Sequence, residues 1–422
     1  MLKRRGEIIV YLIAVFLLSS CIEPYTPNLS GYESLLVVDA QITNENSSYT
    51  VRLSKSFQEQ NATPVVVSDA SVYLNDDRGN TMVFKNKGNG IYQTDSTQFR
   101  GEVGSTYVLH ILIGESEEYE SEPCLMQPVP DIDSIYIAKD QQLVNNNTGT
   151  QDGVSIYLDS KWGDKNLYFR WTYDEVWKFK VSYPKKYDFL YDRTEIGTGL
   201  IIPTEPRLIP VSDVKEYCWK THQGDNIIIR SNQNGQTGRL TKQPIYFIAS
   251  DKSDRLMLQY SILIKQYSIS KDEYEFWNKL NQVNVAGGDI FARQPYAVSG
   301  NIRNLKNLNE RVLGYFKVSA VTQKRKNIPF SDFVAMNLPF YHDACEFVLK
   351  SPADFDSPFK FPHPTWDDVY WYMCVQDIYT FIYPLYDPAT NKLMKFVFTS
   401  RECANCELTG TRIKPYMSDD IK

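Results

Sequence analysis

Between residues 35 and 125, short runs of alternating apolar and polar residues recur at a spacing of about eight to twelve. They are "LLVVDAQ", "YTVRLS", "VVV", "ASVYLN", "TMVFK", "GIYQTD" and "TYVLHILI", parted by "NENSS", "DDRGN", "NKGNG" and "FRGEVG". A period of two sends one face of each run into a core and the other to solvent, which suits strands and not helices. This pattern predicts an immunoglobulin-like β-sandwich over residues 35–127. The segments Asp77-Arg78-Gly79-Asn80 and Lys87-Gly88-Asn89-Gly90 supply Gly and Asn where hairpin turns need positive φ. The acidic "ESEEYESEP" after them reads as a charged edge strand, which resists pairing with a foreign strand.

"QPVPDIDS" marks a boundary, and a larger β-rich domain is expected over residues 128–422. Its strands are "DSIYIA", "GVSIYLD", "LYFRWTY", "EVWKFKVSY", "QPIYFIAS" and the long alternating "RLMLQYSILIKQYSIS". One helix is expected at about residues 271–284. Ser270 and Glu273 form a capping box there, and Phe276, Leu280 and Val283 make an i, i+4, i+7 stripe. "ERVLGYFKVSAVTQKRK" reads as one further strand with a basic tail. The fold class is thus mainly β, with at least one helix.

The N-terminus carries a different signal. Lys3, Arg4 and Arg5 precede an apolar run at residues 8–18, about half the length a bilayer-spanning helix needs. Leu18-Ser19-Ser20-Cys21 comes next, which resembles the lipobox of bacterial lipoproteins. The expected product has residues 1–20 removed as a signal peptide, a lipid on the Cys21 thiol, and residues 21–34 as a tether. Two or three acyl chains, at roughly 0.8 kcal/mol per buried CH₂, hold such a protein at a membrane permanently.

Composition narrows the function. The net charge of −6 becomes −8 once Lys3, Arg4, Arg5 and Glu7 leave with the signal peptide, which argues against a nucleic-acid partner. With Cys21 lipidated, Cys124, Cys218, Cys345, Cys374, Cys403 and Cys406 remain, and six cysteines allow fifteen pairings. The Cys403-x-x-Cys406 spacing could serve zinc, redox chemistry or a small disulfide loop, but structural cystines fit an exported chain better. Four histidines, His110, His222, His342 and His363, form no metal-ligand spacing, and no nucleophile elbow or phosphate loop occurs. No catalytic residue, metal or cofactor is assigned. The aromatic stretch "WDDVYWYMCVQDIYTFIYPLY" suggests either core packing or a partner contact through Trp366, Tyr370, Trp371 and Tyr383.

Several stretches together resemble a known family. "CIEPYTPNLSGYESLLVVDAQITNE", "GNGIYQTD", "VGSTYVLHI", "YESEP", "PVPDIDSIY", "RLMLQYSILIKQYSIS", "SGNIRNLKNLNERVLGYF" and "CANCELTGTRIKP" are similar, in order, to a lipoprotein family of Bacteroidetes labelled as a domain of unknown function, DUF4249. The resemblance implies an outer-membrane lipoprotein, often encoded beside TonB-dependent transporters. It brings no activity, site residue or small ligand. The expected function is a non-enzymatic binding or accessory partner of such a transporter in nutrient uptake. A surface hydrolase acting on glycan or peptide, or a structural or adhesion protein of the envelope, is the alternative.

Overall fold

The computed structural model describes residues 34–56, 65–95, 99–143, 149–161, 168–190, 193–196, 200–203, 207–232, 238–286, 298–355, 366–375 and 378–415. Cys21, the expected signal peptide and the expected tether lie outside these residues, as does His363. The chain is mainly β, as its alternation predicts.

The first unit contains β1 (Leu36–Thr43), β2 (Thr50–Lys55), β3 (Val65–Val66), β4 (Ala70–Asp76), β5 (Thr81–Gly88), β6 (Ile91–Gln93), β7 (Thr106–Ile113), β8 (Glu117–Ser121) and β9 (Cys124–Leu125). Every turn named from the sequence joins two of these strands. Asp76 closes the first by accepting from the amides of Arg78 and Asn80. The first part of β5 pairs with β4 and its end pairs with β6, with a register shift between Asn86 and Gly88. The hydrogen-bonded path therefore turns a corner there, and strands from both of its ends share one apolar cluster that includes Val38, Val72, Leu109 and Phe316.

The second unit begins with β10 (Ile132–Leu143), β11 (Thr150–Lys161) and β12 (Tyr168–Lys180). Two small ladders come next, β13 (Tyr187–Leu190) with β16 (Arg207–Pro210) and β14 (Arg193–Ile196) with β15 (Leu200–Pro203). Then come β17 (Tyr217–Gln223), β18 (Ile228–Ser231), β19 (Arg239–Ala249), β20 (Gln259–Ile269) and helix α1 (Lys271–Ala286). The Ser270 hydroxyl caps α1 by accepting from the Glu273 amide at 3.0 Å, the N-cap half of the capping box, while the Glu273 carboxylate accepts from Trp277 Nε1 at 3.1 Å. A three-stranded sheet, β10-β11-β19, and a larger one, β17-β12-β20 completed by a later strand, pool their apolar faces in a second cluster containing Ile156, Trp171, Tyr260 and Ile264.

After α1 the chain departs from the boundaries read from sequence. β21 (Ile302–Asn304) returns to pair with β8, and β22 (Leu313–Ser319) runs parallel to β1. Residues far beyond 127 thus complete the first unit and cover both ends of its sheet, where unpaired edges would otherwise invite association. Gly314 permits the close approach of β22 to β1: its φ is +87°, and an added Cβ would sit 1.9 Å from the Val38 carbonyl oxygen. β23 (Val321–Pro329) begins two residues after β22 ends, yet pairs with β20 in the second unit. The stretch read as a single strand is two strands in different sheets, with buried Ala320 at the crossing.

Short helix α2 (Phe330–Val334) leads to a third unit of β24 (Val348–Lys350), helix α3 (Trp366–Val375), β25 (Tyr379–Tyr386) and β26 (Leu393–Ser400). β26 is the central strand, and Phe381, Phe396 and Phe398 pack with Val369 and Met373 of α3. No helix among the described residues is long and apolar enough to cross a membrane.

Candidate functional site

The four aromatic candidates have different fates. Trp366 opens α3 with its ring 4.8 Å from Phe396, and Tyr370 packs 5.8 Å from Phe381 while donating its hydroxyl to Asp188 Oδ1 at 2.7 Å. These two belong to the core of the third unit, and burial, then the hydrogen bond to Asp188, pushes the Tyr370 phenol pKa up. Tyr383 is 38 % exposed and meets the edge of Phe347 at 6.0 Å. The side chain of Trp371 lies outside the described residues. A register shift between Phe381 and Tyr383 explains the division. Strict alternation would place the two on one face, but a bulge re-aims the residues beyond it. Tyr383, Leu385 and Tyr386 consequently face solvent.

This exposed segment belongs to a stretch of the chain rich in exposed apolar side chains. Of the 23 large apolar side chains exposed among the described residues, 13 lie between Phe330 and Ile413. A fifth of the chain carries over half of them, whereas scattered exposed apolar residues need no explanation.

Two disulfides brace this region. Cys218 of β17 pairs with Cys406, and Cys345 pairs with Cys403. The Cys403-x-x-Cys406 segment therefore forms no small loop; each thiol is fastened to a different part of the chain. Backbone bonds between Trp219 and Thr411, and from the Tyr183 amide to the Cys403 carbonyl, hold the same segment down. Cys124 and Cys374 are free thiols. Burial, then the nearby Glu273 charge, pushes the Cys124 thiol up to about 12, so it is not a nucleophile at neutral pH.

A polar cluster that sequence reasoning missed lies at one end of the second core. Glu175 occupies an inward position of β12, between Tyr173 and Trp177, and its side chain is fully buried. Arg255 donates Nε to Oε1 at 3.0 Å and Nη2 to Oε2 at 3.2 Å, while Tyr260 donates its hydroxyl to Oε1 at 2.7 Å. His222 Nδ1 lies 2.9 Å from Oε2. Beside a carboxylate oxygen, which accepts, Nδ1 is the ring nitrogen placed to donate. The Arg255 guanidinium lies over Trp177 at 4.4 Å. The signal was present in "YFRWTYDEVWKFK": a Glu falls in the run of inward aromatics where an apolar residue belongs.

Other candidates resolve simply. His110 stacks on Tyr73 at 4.7 Å and shares a hydrogen bond with Asn75, a satisfied strand residue. Among the described residues, no three His, Cys, Asp or Glu side chains are grouped to hold a metal ion.

A search of curated proteins finds no match for this chain. The model of the family described as "Domain of unknown function (DUF4249)" matches residues 22–325, a stretch that covers the first β unit, continues through the second into β23 and ends before the third unit. The chain belongs to the DUF4249 family.

Proposed function

We propose that this protein is an outer-membrane lipoprotein, anchored through Cys21, that serves as a non-enzymatic accessory partner of a TonB-dependent transporter in nutrient uptake. The observation that carries the reading is the concentration of exposed aromatic and aliphatic side chains on the disulfide-braced C-terminal region, Tyr383, Leu385 and Tyr386 among them. Exposed apolar groups on a rigid support are what a lasting protein contact uses. The lipobox-like Leu18-Ser19-Ser20-Cys21 supports the anchor. Purification from detergent-solubilised outer membranes is expected to bring a β-barrel transporter with the tagged protein. The Tyr383→Ser/Leu385→Ser double variant should lose that partner at unchanged thermal stability. Retained partner binding in the variant counts against this surface, and absence of any barrel protein from the wild-type eluate counts against the function. Cys21→Ala should release the protein from membranes and abolish palmitate labelling.

A second reading, a surface hydrolase, draws on one observation: His222 rests on the buried Glu175 with its own side chain 41 % exposed. That arrangement would make Nε2 a general base. Turnover of a glycan or peptide that disappears in His222→Gln would favour this reading over the first.

A further inference from the structure

Where the second core meets α2, an apolar cavity of about 290 Å³ opens to solvent, close to the lower end of the range for small-molecule sites. Leu256, Phe330, Phe333, Leu338 and Phe340 line it, and Lys180 at the end of β12 stands among them. Both walls are fixed before anything binds. On one side, the turn Asp254–Leu256 is pinned by Trp177 Nε1 and Lys220 Nζ, which donate to Asp254 at 2.9 and 2.7 Å, and by Arg255 on Glu175. On the other, Lys139 Nζ donates to the carbonyls of Met336 and Asn337, both at 3.2 Å, and holds the chain just before Leu338. Phe340 is nonetheless 63 % exposed, an aromatic ring kept at the mouth without a cover.

The charge at the cavity selects its occupant. Among the described residues the Lys180 ammonium has no carboxylate within ion-pair distance, so it is available to a ligand. Two carboxylates near the Tyr341 wall are already engaged: Asp254 as above, and Asp343 by the Ser182 hydroxyl at 2.5 Å. Lys180 is the one charged side chain among the described lining residues, so a single negative charge on the ligand matches it. We infer that this cavity binds a small apolar monocarboxylate, its aromatic or aliphatic body between Leu256 and Phe340 and its carboxylate on Lys180. This goes beyond the partner reading and does not depend on it.

The test uses the full-length protein in lipid nanodiscs, with 4-phenylbutyrate as probe, 4-phenylbutanol as its uncharged analogue, and empty discs subtracted. By calorimetry or saturation-transfer NMR, 4-phenylbutyrate is expected to bind with a Kd on the order of 0.1–1 mM. Lys180→Gln should weaken the acid on the order of fivefold and leave the alcohol unchanged. Phe340→Ala should weaken both at an unchanged melting temperature, since the ring is exposed. Absence of acid binding overturns the inference, and so does equal affinity for acid and alcohol in the wild type. If no small acid binds but Phe340→Ala abolishes co-purification of a partner protein, the cavity is a protein contact and the inference fails.

Discussion

Replacing Arg255 by Met is expected to be among the most damaging single changes at the second core that leaves its volume nearly intact. Glu175 keeps four contacts: two from Arg255, one from Tyr260 and one from His222. Its carboxylate is fully buried, and among the described residues Arg255 is its only ion-pair partner besides a protonated His222. Removing one member of a buried pair strands the other charge and costs about 3–5 kcal/mol, whereas the intact pair need not be worth that much. The decisive comparison is therefore a double-mutant cycle. Glu175→Met/Arg255→Met removes both charges and fills the same space, so it should recover part of the loss. The remainder, about 1–3 kcal/mol, reflects the Tyr260 hydroxyl left without an acceptor. Urea denaturation monitored by tryptophan fluorescence reads this directly, since the Trp177 ring lies under the guanidinium. A loss below about 1 kcal/mol in Arg255→Met, or a double variant as unstable as the sum of the singles, would refute the reasoning.

Three further outcomes are expected. Gly314→Ala should destabilise the first unit by more than about 2 kcal/mol, because positive φ disfavours Ala and its Cβ meets the Val38 carbonyl; wild-type thermal stability would show that the β1–β22 seam does not need this glycine. Burial alone would raise the Asp39 carboxyl, but the Lys317 ammonium at 2.7 Å and the Arg52 guanidinium outweigh it and hold the group below the ordinary carboxylate range. Such a carboxylate contributes stability above its unfolded pKa, near 3.9, and loses it as pH falls through the lower folded value. Asp39→Asn should thus cost less than about 1 kcal/mol at about pH 7, since the group is half exposed, and nothing at about pH 2; a gap persisting in acid counts against the pairing. Peptide mapping of the unreduced protein should find Cys218 joined to Cys406 and Cys345 to Cys403, with Cys124 and Cys374 alkylated only after unfolding or slowly; a Cys403–Cys406 crosslink would contradict the bracing.

The sequence by itself determined the local elements. Alternation in "TYVLHILI" and "ASVYLN" made strands because period two is a property of neighbouring residues, and Ser270 with Glu273 started α1 because a cap acts within one turn. Where those strands went was decided by tertiary structure. The parallel β1–β22 pair joins residues separated by most of the second unit, and no hairpin signal can announce a partner so distant. Splitting "GYFKVSAVTQKRK" at Ala320 depended on two sheets lying side by side. The aromatic stretch read either as core or as contact surface, and the bulge after Phe381 separated Phe381 from Tyr383. Glu175 was visible as a charge at an apolar position, but its partners come from β17, β20 and the turn at Arg255, which only the folded chain brings together. Periodicity records which way a side chain points; what it meets there depends on residues that the sequence leaves far away.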